Sequence, residues 1–320
     1  MLPREVVAKQ LNHTLQSISL PAYGKKYEGK VRDCFTSAGK RVIVATDRLS
    51  AFDVVLTTIP FKGRLLTEMA AYWFSQTQHI IANHIIKQPH PNVMIAQEVE
   101  ILPIEVVVRG YLAGSAWRDY QAGKAISGIT LPKGMKKSQR LERPIITPST
   151  KAERGIHDEP ISSDEIVRQR IVAESLWDEV CSAAMKLFEF GTQKAKERGL
   201  ILVDTKYEFG VAKDENGKSK LLLADEIHTQ DSSRFWMLDS YEDRFNANED
   251  PVMLDKEFVR RWLIERGYMG EGTPPQFPDD FRVDTAMRYI DAYEKITGQE
   301  FCAEAGPVEE SIAAALEKEI

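Results

Sequence analysis

Two segments rich in strand-forming residues, 200–211 and 221–227, flank the dipeptide Asn216-Gly217. Asn-Gly is the sequence most typical of a tight turn between antiparallel strands. A hairpin constrains a fold strongly, because its register decides which side chains share a face of the sheet. We therefore predict an antiparallel hairpin with Asn216 and Gly217 as its two turn residues.

The first strand of this hairpin carries Asp204, Lys206 and Glu208 on one face. The predicted turn places Glu208 directly opposite Asp225. Like charges in opposed positions destabilise a sheet, unless one carboxyl is protonated or a divalent cation lies between the two. Oxygen ligands beside a lysine are typical of Mg²⁺ that accompanies a nucleotide phosphate. The alternative is a solvent-exposed face of alternating charges.

A second motif runs from Arg109 to Ser115 and follows the strand-forming run 104–108. Arg109 offers a two-pronged donor to an anion, and Gly114 allows backbone N–H groups to approach it closely. We predict a phosphate-binding turn here. The alternative is an ordinary turn with a surface arginine.

Two further segments add positive charge. Gly29-Lys30-Val31-Arg32-Asp33 alternates basic residues after a glycine, but it lacks the glycine spacing of a Walker A or dinucleotide-binding loop. It is interpreted as a basic strand that covers phosphates, with an ordinary turn as the alternative. Downstream of Asp225, the segment Asp231-Ser232-Ser233-Arg234 supplies another cation and two hydroxyl groups.

Composition narrows the class of function. The 320 residues have a net charge of -6, which argues against a nucleic-acid partner. The sequence holds no apolar run long enough for a membrane span and no visible signal peptide. Cys34, Cys181 and Cys302 are far apart and are interpreted as free thiols in a reducing compartment. These features predict a cytoplasmic protein that acts on small molecules.

The order of predicted elements favours an α+β fold, because strands and helices are segregated along the chain instead of alternating strictly. Strands are predicted at 41–46, 54–59 and 104–108, and a helix at 65–79. The segment 127–160 is predicted to be a long loop, since it is rich in glycine and proline. Further helices are predicted at 163–198, 255–266 and 278–297.

Several of these motifs together resemble the phosphoribosylaminoimidazole-succinocarboxamide synthase (SAICAR synthetase) family, in its longer form. The segments that carry the resemblance are GKVRD (29–33), ATDRLSAFD (45–53), LPIEVVVR (102–109), AGS (113–115), TPSTKAE (147–153), LVDTKYEFG (202–210) and DSSRFW (231–236). The resemblance covers nearly the whole chain. It implies a two-lobed α+β nucleotide-binding fold of antiparallel sheets with flanking helices, distantly similar to kinases and ATP-grasp enzymes. Residues 1–103 would form an N-terminal strand-rich lobe on the ATP side, and 104–320 a larger lobe.

The activity implied by the resemblance is an ATP-dependent ligation in purine biosynthesis. It joins L-aspartate to the carboxylate of carboxyaminoimidazole ribonucleotide and yields the succinocarboxamide, ADP and phosphate through an acyl phosphate. ATP and Mg²⁺ would be required, and neither nucleic acid nor membrane would be a partner. The oligomeric state is left open, with a monomer allowed.

The resemblance also implies a role for each motif residue. Lys206 and Asp204 would be catalytic, and Glu208 and Asp225, with Asp204 in support, would hold the nucleotide and its Mg²⁺. The remaining assignments are Lys30 and Arg32 for the ATP phosphates, Arg109, Ser115 and Arg234 for the ribonucleotide phosphate, and Asp47, Ser50 and Asp53 for the imidazole and aspartate side. Lys151 and His157, in the long loop, receive no firm role.

Without the resemblance, the residues predict only phosphoryl transfer from a Mg-nucleotide to a phosphorylated substrate. A small-molecule kinase and a nucleotide-binding module without activity are therefore the alternatives. Dependence of ADP release on L-aspartate separates the ligase from the kinase, and any ATP turnover excludes the binding module.

Overall fold

The computed structural model of the chain describes residues 1–52, 54–151, 158–213, 217–254 and 256–319. Its strands are β1 (Lys25–Glu28), β2 (Arg32–Ser37), β3 (Lys40–Ala45), β4 (Arg48–Ala51), β5 (Val54–Thr58), β6 (Ile85–His90), β7 (Val93–Gln97), β8 (Glu100–Tyr111), β9 (Arg140–Ile146), β10 (Ser149–Thr150), β11 (Leu200–Lys213), β12 (Ser219–Ala224) and β13 (Ser233–Met237). Its α-helices are α1 (Arg4–Gln10), α2 (Lys62–Thr77), α3 (Gly114–Gln121), α4 (Ser163–Arg168), α5 (Glu174–Glu197), α6 (Tyr241–Asn246), α7 (Glu257–Ile264), α8 (Asp279–Thr297) and α9 (Val308–Leu316). These strands pair in antiparallel fashion throughout, and the α+β prediction is confirmed.

The chain divides into two compact units. Unit 1 comprises Met1–Trp73, His84–Glu98 and Leu254–Ile320, and unit 2 comprises Phe74–Asn83 and Val99–Met253. The predicted boundary at residue 103 lies close to the crossing at Glu98. The C-terminal segment, however, groups with unit 1, whereas the sequence-based division assigns it to the second lobe.

Unit 1 is built on a five-stranded sheet in the order β1-β2-β3-β7-β6. Val42 and Val44 alternate along β3 and are buried, which confirms the strand predicted there. Ile312 and Leu316 of α9 join the same buried cluster. The C-terminal helix therefore covers apolar side chains of this sheet, which explains why the end of the chain belongs to the first unit.

Unit 2 is built around β11, the longest strand. Its neighbours are β8 on one edge and β12 and β13 on the other, while β9 and β10 pair with β8. Helix α5 packs against β11 and buries Ala184, Leu187 and Phe188. The arrangement leaves β11 flanked by strands on both edges, so polar groups from three strands meet beside it.

Two predicted segments differ from the structure. The predicted loop 127–160 contains strands β9 and β10, while 152–157 lie outside the described residues. The helix predicted at 163–198 is broken into α4 and α5. Arg170 adopts a left-handed backbone (φ 59°), and the N–H groups of Arg170 and Ile171 close back onto α4, which is the geometry that ends a helix.

The β11–β12 hairpin forms as predicted, but its register differs by one residue. Lys213 pairs with Ser219, so five residues connect the strands instead of two; 214–216, which include Asn216, lie outside the described residues. Glu208 consequently pairs with Ala224, not with Asp225. An odd number of connecting residues shifts every pair by one position, and this shift changes the partner of each polar side chain.

No helix among the described residues is both long and apolar enough to cross a membrane.

Candidate functional site

A lysine lies between two opposed carboxylates at the centre of unit 2. Glu105 of β8 is directly opposite Glu208 of β11. Lys206 Nζ lies 2.6 Å from Glu105 Oε1 and 3.2 Å from Glu208 Oε1. The lysine therefore compensates the like charges of the two glutamates, whereas the sequence predicts Asp225 opposite Glu208, with protonation or a divalent cation as the compensation.

A second lysine approaches the same glutamate from the segment after β10. Lys151 Nζ forms an ion pair with Glu208 Oε2. The Glu208 side chain is 8% exposed and the Lys151 side chain 39% exposed. Glu208 thus lies buried between two ammonium groups, and both lysine side chains are partly open to solvent.

The charges around Lys206 keep it protonated. Burial alone would lower the lysine pKa, but the charges of Glu208, Glu105 and Asp225 outweigh it and raise the pKa above its ordinary value. Burial raises the pKa of Glu105, against the opposing effect of Lys206. Lys206 is consequently a cation held between Glu105 and Glu208.

Asp225 follows β12 directly and adopts a left-handed backbone with φ 63°. It is half-buried, and its charge acts on Lys206. Asp225 therefore acts on Lys206 from beyond the end of β12, and the predicted position directly opposite Glu208 is wrong because Ala224 occupies it.

A second charged group lies farther along β11, where Asp204 is flanked by two arginines. Its neighbours in the sheet are Arg109 of β8 and Arg234 of β13. Arg109 Nη1 lies 3.0 Å from Asp204 Oδ2, and Arg234 Nη1 lies 2.9 Å from Oδ1 and 2.7 Å from Oδ2. Asp204 is therefore engaged by guanidinium groups, whereas the sequence analysis grouped it with Lys206.

The arginine group continues into the start of α3. Arg109 donates from Nε to Thr147 Oγ1 at 2.8 Å and from Nη2 to Ser115 Oγ at 3.1 Å. Gly114, the first residue of α3, has φ 58°, and a Cβ atom there would lie 2.6 Å from Arg234 Nη2. Glycine is favoured at this position because another residue would be strained at this φ and its Cβ would displace the Arg234 guanidinium. Two arginines at a helix N-terminus form a site suited to a phosphate.

Two residues of these groups were missed from the sequence. Thr147 gives no local signal, since only folding places it beside Arg109. Glu105 does give one, because it is the single charged residue in the run Ile104–Val108 of strand β8. A lone carboxylate in an apolar strand usually has a specific partner.

Lys30 and Arg32 lie in unit 1, at the turn between β1 and β2. Lys30 is exposed and Arg32 is half-buried. The backbone of this turn is held by the buried Arg48, which donates to the carbonyl oxygens of Gly29 at 2.9 Å and Lys30 at 3.0 Å. The buried Arg48 guanidinium thus supports the backbone of this turn, on which the Lys30 side chain is exposed.

The buried Asp33 completes this support. Its Oδ1 accepts from Arg48 Nη2 at 2.9 Å, and its Oδ2 accepts from the Ile18 N–H at 2.9 Å. Burial would raise the pKa of Asp33, but bonds from Lys26, Ile18 and Arg48 lower it below its ordinary value. The Gly29–Arg32 segment is therefore anchored by an ion pair that is fully charged at neutral pH.

Asp47 is buried in unit 1 and is held by backbone groups. It is 1% exposed, and its two carboxylate oxygens accept from the N–H groups of Leu15 at 2.7 Å and Gly63 at 2.9 Å. Burial raises its pKa to about 6. It lines a cavity of about 470 Å³ that is also lined by Gln10 and Arg64. Both of its oxygens are thus used by backbone N–H groups, one in the segment after α1 and one at the start of α2.

The other two residues predicted beside Asp47 add little to this picture. Ser50 is half-buried on β4. Asp53, like His157 of the long loop, lies outside the described residues.

The fold and these two groups define a class of protein. A lysine–carboxylate array and a two-arginine anion site on one strand of an antiparallel α+β fold are typical of an enzyme that acts on phosphorylated small molecules.

Comparison with known proteins identifies the family within that class. Residues 25–275 match SAICAR synthetase. The chain is 47% identical over 300 residues to the phosphoribosylaminoimidazole-succinocarboxamide synthase of Legionella pneumophila (strain Lens), with 92% of this chain and 94% of the relative aligned. The chain belongs to the SAICAR synthetase family, a family of ligases, which confirms the family and the enzyme class inferred from its motifs.

Solved structures agree with this assignment. The SAICAR synthase from Saccharomyces cerevisiae, complexed with SAICAR, is similar with a TM-score of 0.78 at 33% identity, covering 91% of this chain and 100% of that one. A SAICAR synthetase (type 2) in complex with ADP is similar with a TM-score of 0.65 at 26% identity, covering 87% of this chain and 100% of that one.

Proposed function

We propose that this chain joins L-aspartate to the carboxylate of carboxyaminoimidazole ribonucleotide, with conversion of ATP to ADP and phosphate. The observation that carries the proposal is the pattern on β11, where Asp204 organises two arginines and Lys206 lies two residues further on between two glutamates. One rigid strand therefore positions an anion site and a fixed ammonium group on the same face. The SAICAR and ADP complexes of the related structures are consistent with these ligands.

Arg109, Arg234 and Ser115 would bind the 5′-phosphate of the ribonucleotide. Two guanidinium groups supply bidentate donors, and the serine hydroxyl supplies a further one. Asp204 is a positioning residue here, because it holds both guanidinium groups in place and neutralises part of their charge before the phosphate arrives.

Lys30 and Arg32 would contact the phosphates of ATP, and Glu208 and Asp225 would hold Mg²⁺. Carboxylate oxygens suit this hard cation, which takes one or two of them and completes its shell with water and phosphate. No group of three His, Cys, Asp or Glu side chains in the described ranges is arranged to hold a metal ion by itself. When bound, Mg²⁺ neutralises phosphate charge.

Lys206 would stabilise the negative charge of the reacting groups. A carboxylate oxygen of the ribonucleotide attacks the γ-phosphorus of ATP, and the bond to ADP breaks. The amine of L-aspartate then attacks the acyl carbon, phosphate leaves, and the nitrogen loses a proton. Phosphorylation is needed because a carboxylate has no adequate leaving group, and a fixed ammonium group requires no reorganisation as charge develops.

A cytoplasmic location and the absence of nucleic-acid and membrane partners complete the proposal. Cys34, Cys181 and Cys302 form no disulfide bond among the described residues, which fits a reducing compartment. The oligomeric state is left to measurement.

The test is ADP release by the purified chain with Mg-ATP and carboxyaminoimidazole ribonucleotide, with and without L-aspartate. The ligase requires aspartate for turnover and forms a succinocarboxamide of the expected mass. Equal ADP release without aspartate, with phosphate retained on the ribonucleotide, would establish the kinase alternative instead. No ADP release under either condition would leave only a binding module.

A further inference from the structure

A buried tyrosine–histidine pair lies behind the charged face of β11. Tyr207, between Lys206 and Glu208, points to the opposite side of the sheet, and its hydroxyl lies 2.6 Å from His228 Nε2. Both side chains are fully buried. The hydrogen bond links the backbone of β11 to the segment 225–232, which follows β12 and carries Asp225.

The segment that begins with Asp225 is held in an unfavourable backbone conformation. Asp225 has φ 63° and His228 has φ 49°, in the left-handed region that non-glycine residues rarely adopt. Such conformations persist only where surrounding contacts compensate for their cost. The hydrogen bond between Tyr207 and His228 is such a contact, because it fixes the side chain of one of these two residues.

The imidazole of His228 is also confined from the side of α5. A Cβ atom added at Gly191 would lie 2.3 Å from His228 Cε1. Glycine is therefore needed at this position of α5, because the ring packs directly on the helix backbone. Burial lowers the pKa of His228 to about 3, so the ring is neutral under physiological conditions. The pair consequently acts through geometry and not through charge.

The geometry points to Tyr207 and His228 as positioning residues for Asp225. They couple the segment that carries Asp225 to the strand that carries Lys206 and Glu208, so that the carboxylates of Asp225 and Glu208 keep one separation. This inference rests on the proposed roles of Asp225 and Glu208 in binding the nucleotide-associated cation. Gly191 is the third residue of this arrangement, because its missing Cβ leaves space for the His228 ring.

The test measures cation binding directly, with Mn²⁺ as the probe and ADP present. Electron paramagnetic resonance measures the concentration of unbound Mn²⁺ and thereby gives the dissociation constant. Tyr207→Phe removes only the hydroxyl and is expected to raise the dissociation constant of Mn²⁺ by about tenfold, as loss of an outer-shell partner of a metal site does. Gly191→Ala, which displaces His228 from the other side, is expected to act in the same direction.

A matched control is Tyr241→Phe. Tyr241 is also buried in unit 2, and its hydroxyl donates to the Ser138 carbonyl oxygen at 2.9 Å. The Tyr241→Phe variant is expected to lose about as much thermal stability as Tyr207→Phe and to bind Mn²⁺ with normal affinity. If Tyr207→Phe lowers the melting temperature like the control but leaves Mn²⁺ affinity unchanged, the pair is merely structural and the inference is wrong.

Asp225→Asn separates this inference from the proposed function. A normal Mn²⁺ affinity in Asp225→Asn overturns the metal role of Asp225 and the positioning role together. A weakened affinity in Asp225→Asn with a normal affinity in Tyr207→Phe overturns the positioning role alone. If both hold, adding Tyr207→Phe to Asp225→Asn causes no further loss, because the pair acts through that carboxylate.

Discussion

Glu105 and Glu208 are directly opposed across β8 and β11, and Lys206 Nζ approaches both, at 2.6 Å and 3.2 Å. Opposed carboxylates would repel one another in an isolated sheet. The ammonium group of Lys206 makes the pairing stable, and in return the two glutamates hold that ammonium group in one place. The residues that position the lysine are thus contributed by two strands far apart in sequence.

Glu105→Gln is expected to lower kcat by about ten- to a hundredfold, because Lys206 loses one of its two carboxylate partners and is no longer held in one position. Steady-state ADP release measures the effect. Glu100→Gln, at the exposed start of the same strand, is the matched control and should retain normal turnover. Equal turnover in both variants would mean that Glu105 does not position Lys206.

Gly114→Ala is expected to raise the KM for the ribonucleotide about tenfold with little change in kcat, since the added Cβ displaces Arg234 and weakens phosphate binding uniformly. Gly123→Ala is the matched control. Gly123 also has a left-handed backbone, with φ 69°, but open space around its Cα. Both variants should lose about 1 kcal/mol of stability from backbone strain, and only Gly114→Ala should change KM. A raised KM in Gly123→Ala would show that backbone strain, and not displacement of Arg234, raises the KM in Gly114→Ala.

Arg48→Lys is expected to raise the KM for ATP about tenfold while leaving the KM for the ribonucleotide unchanged. A lysine cannot reach both the Gly29 and Lys30 carbonyl oxygens, so the Gly29–Arg32 segment loses its support. Arg282→Lys serves as the control and should leave the KM for ATP unchanged. Arg282, also in unit 1, donates to the carbonyl oxygen and to the hydroxyl oxygen of Thr58.

Double substitution decides how Arg48 acts. If it acts through Lys30, the effects of Arg48→Lys and Lys30→Ala on ATP affinity are not additive. Full additivity would show that the two residues work independently.

The Asp47→Asn variant is expected to gain free energy of unfolding, relative to the natural protein, as pH rises. Burial raises the pKa of Asp47 to about 6 from 3.8, so between these values the folded state binds more protons than the unfolded state. Stability contributed by this group is therefore present at low pH and lost as pH rises through about 6.

Urea unfolding at pH 4 and pH 7 measures the difference between the two proteins. We expect it to change by about 1–3 kcal/mol over this range in favour of the Asp47→Asn variant. The comparison must be made as a difference, because His90, whose pKa burial lowers to about 4, makes an opposite contribution in both proteins. A difference that does not vary with pH would show that Asp47 is not the titrating group.

Local patterns in the sequence predicted much of the fold and the members of the candidate site. Strand alternation placed Lys206 and Glu208 on one face, and the periodic apolar residues located α2 and α8 within a few residues. Arg109 and Ser115, both singled out in one short motif, lie within hydrogen-bond distance of each other. These features depend on a few neighbouring residues, so the sequence by itself determines them.

The partners of those side chains were decided only by tertiary structure. A five-residue connection, not the tight turn, sets the β11–β12 register and moves Asp225 off the strand. Asp204 faces two arginines, and Glu208 faces Glu105, because β8 and β13 lie on the two edges of β11. A period of two determines the face of each side chain, but the residue across the sheet depends on strand order and offset, which arise from packing of segments about a hundred residues apart.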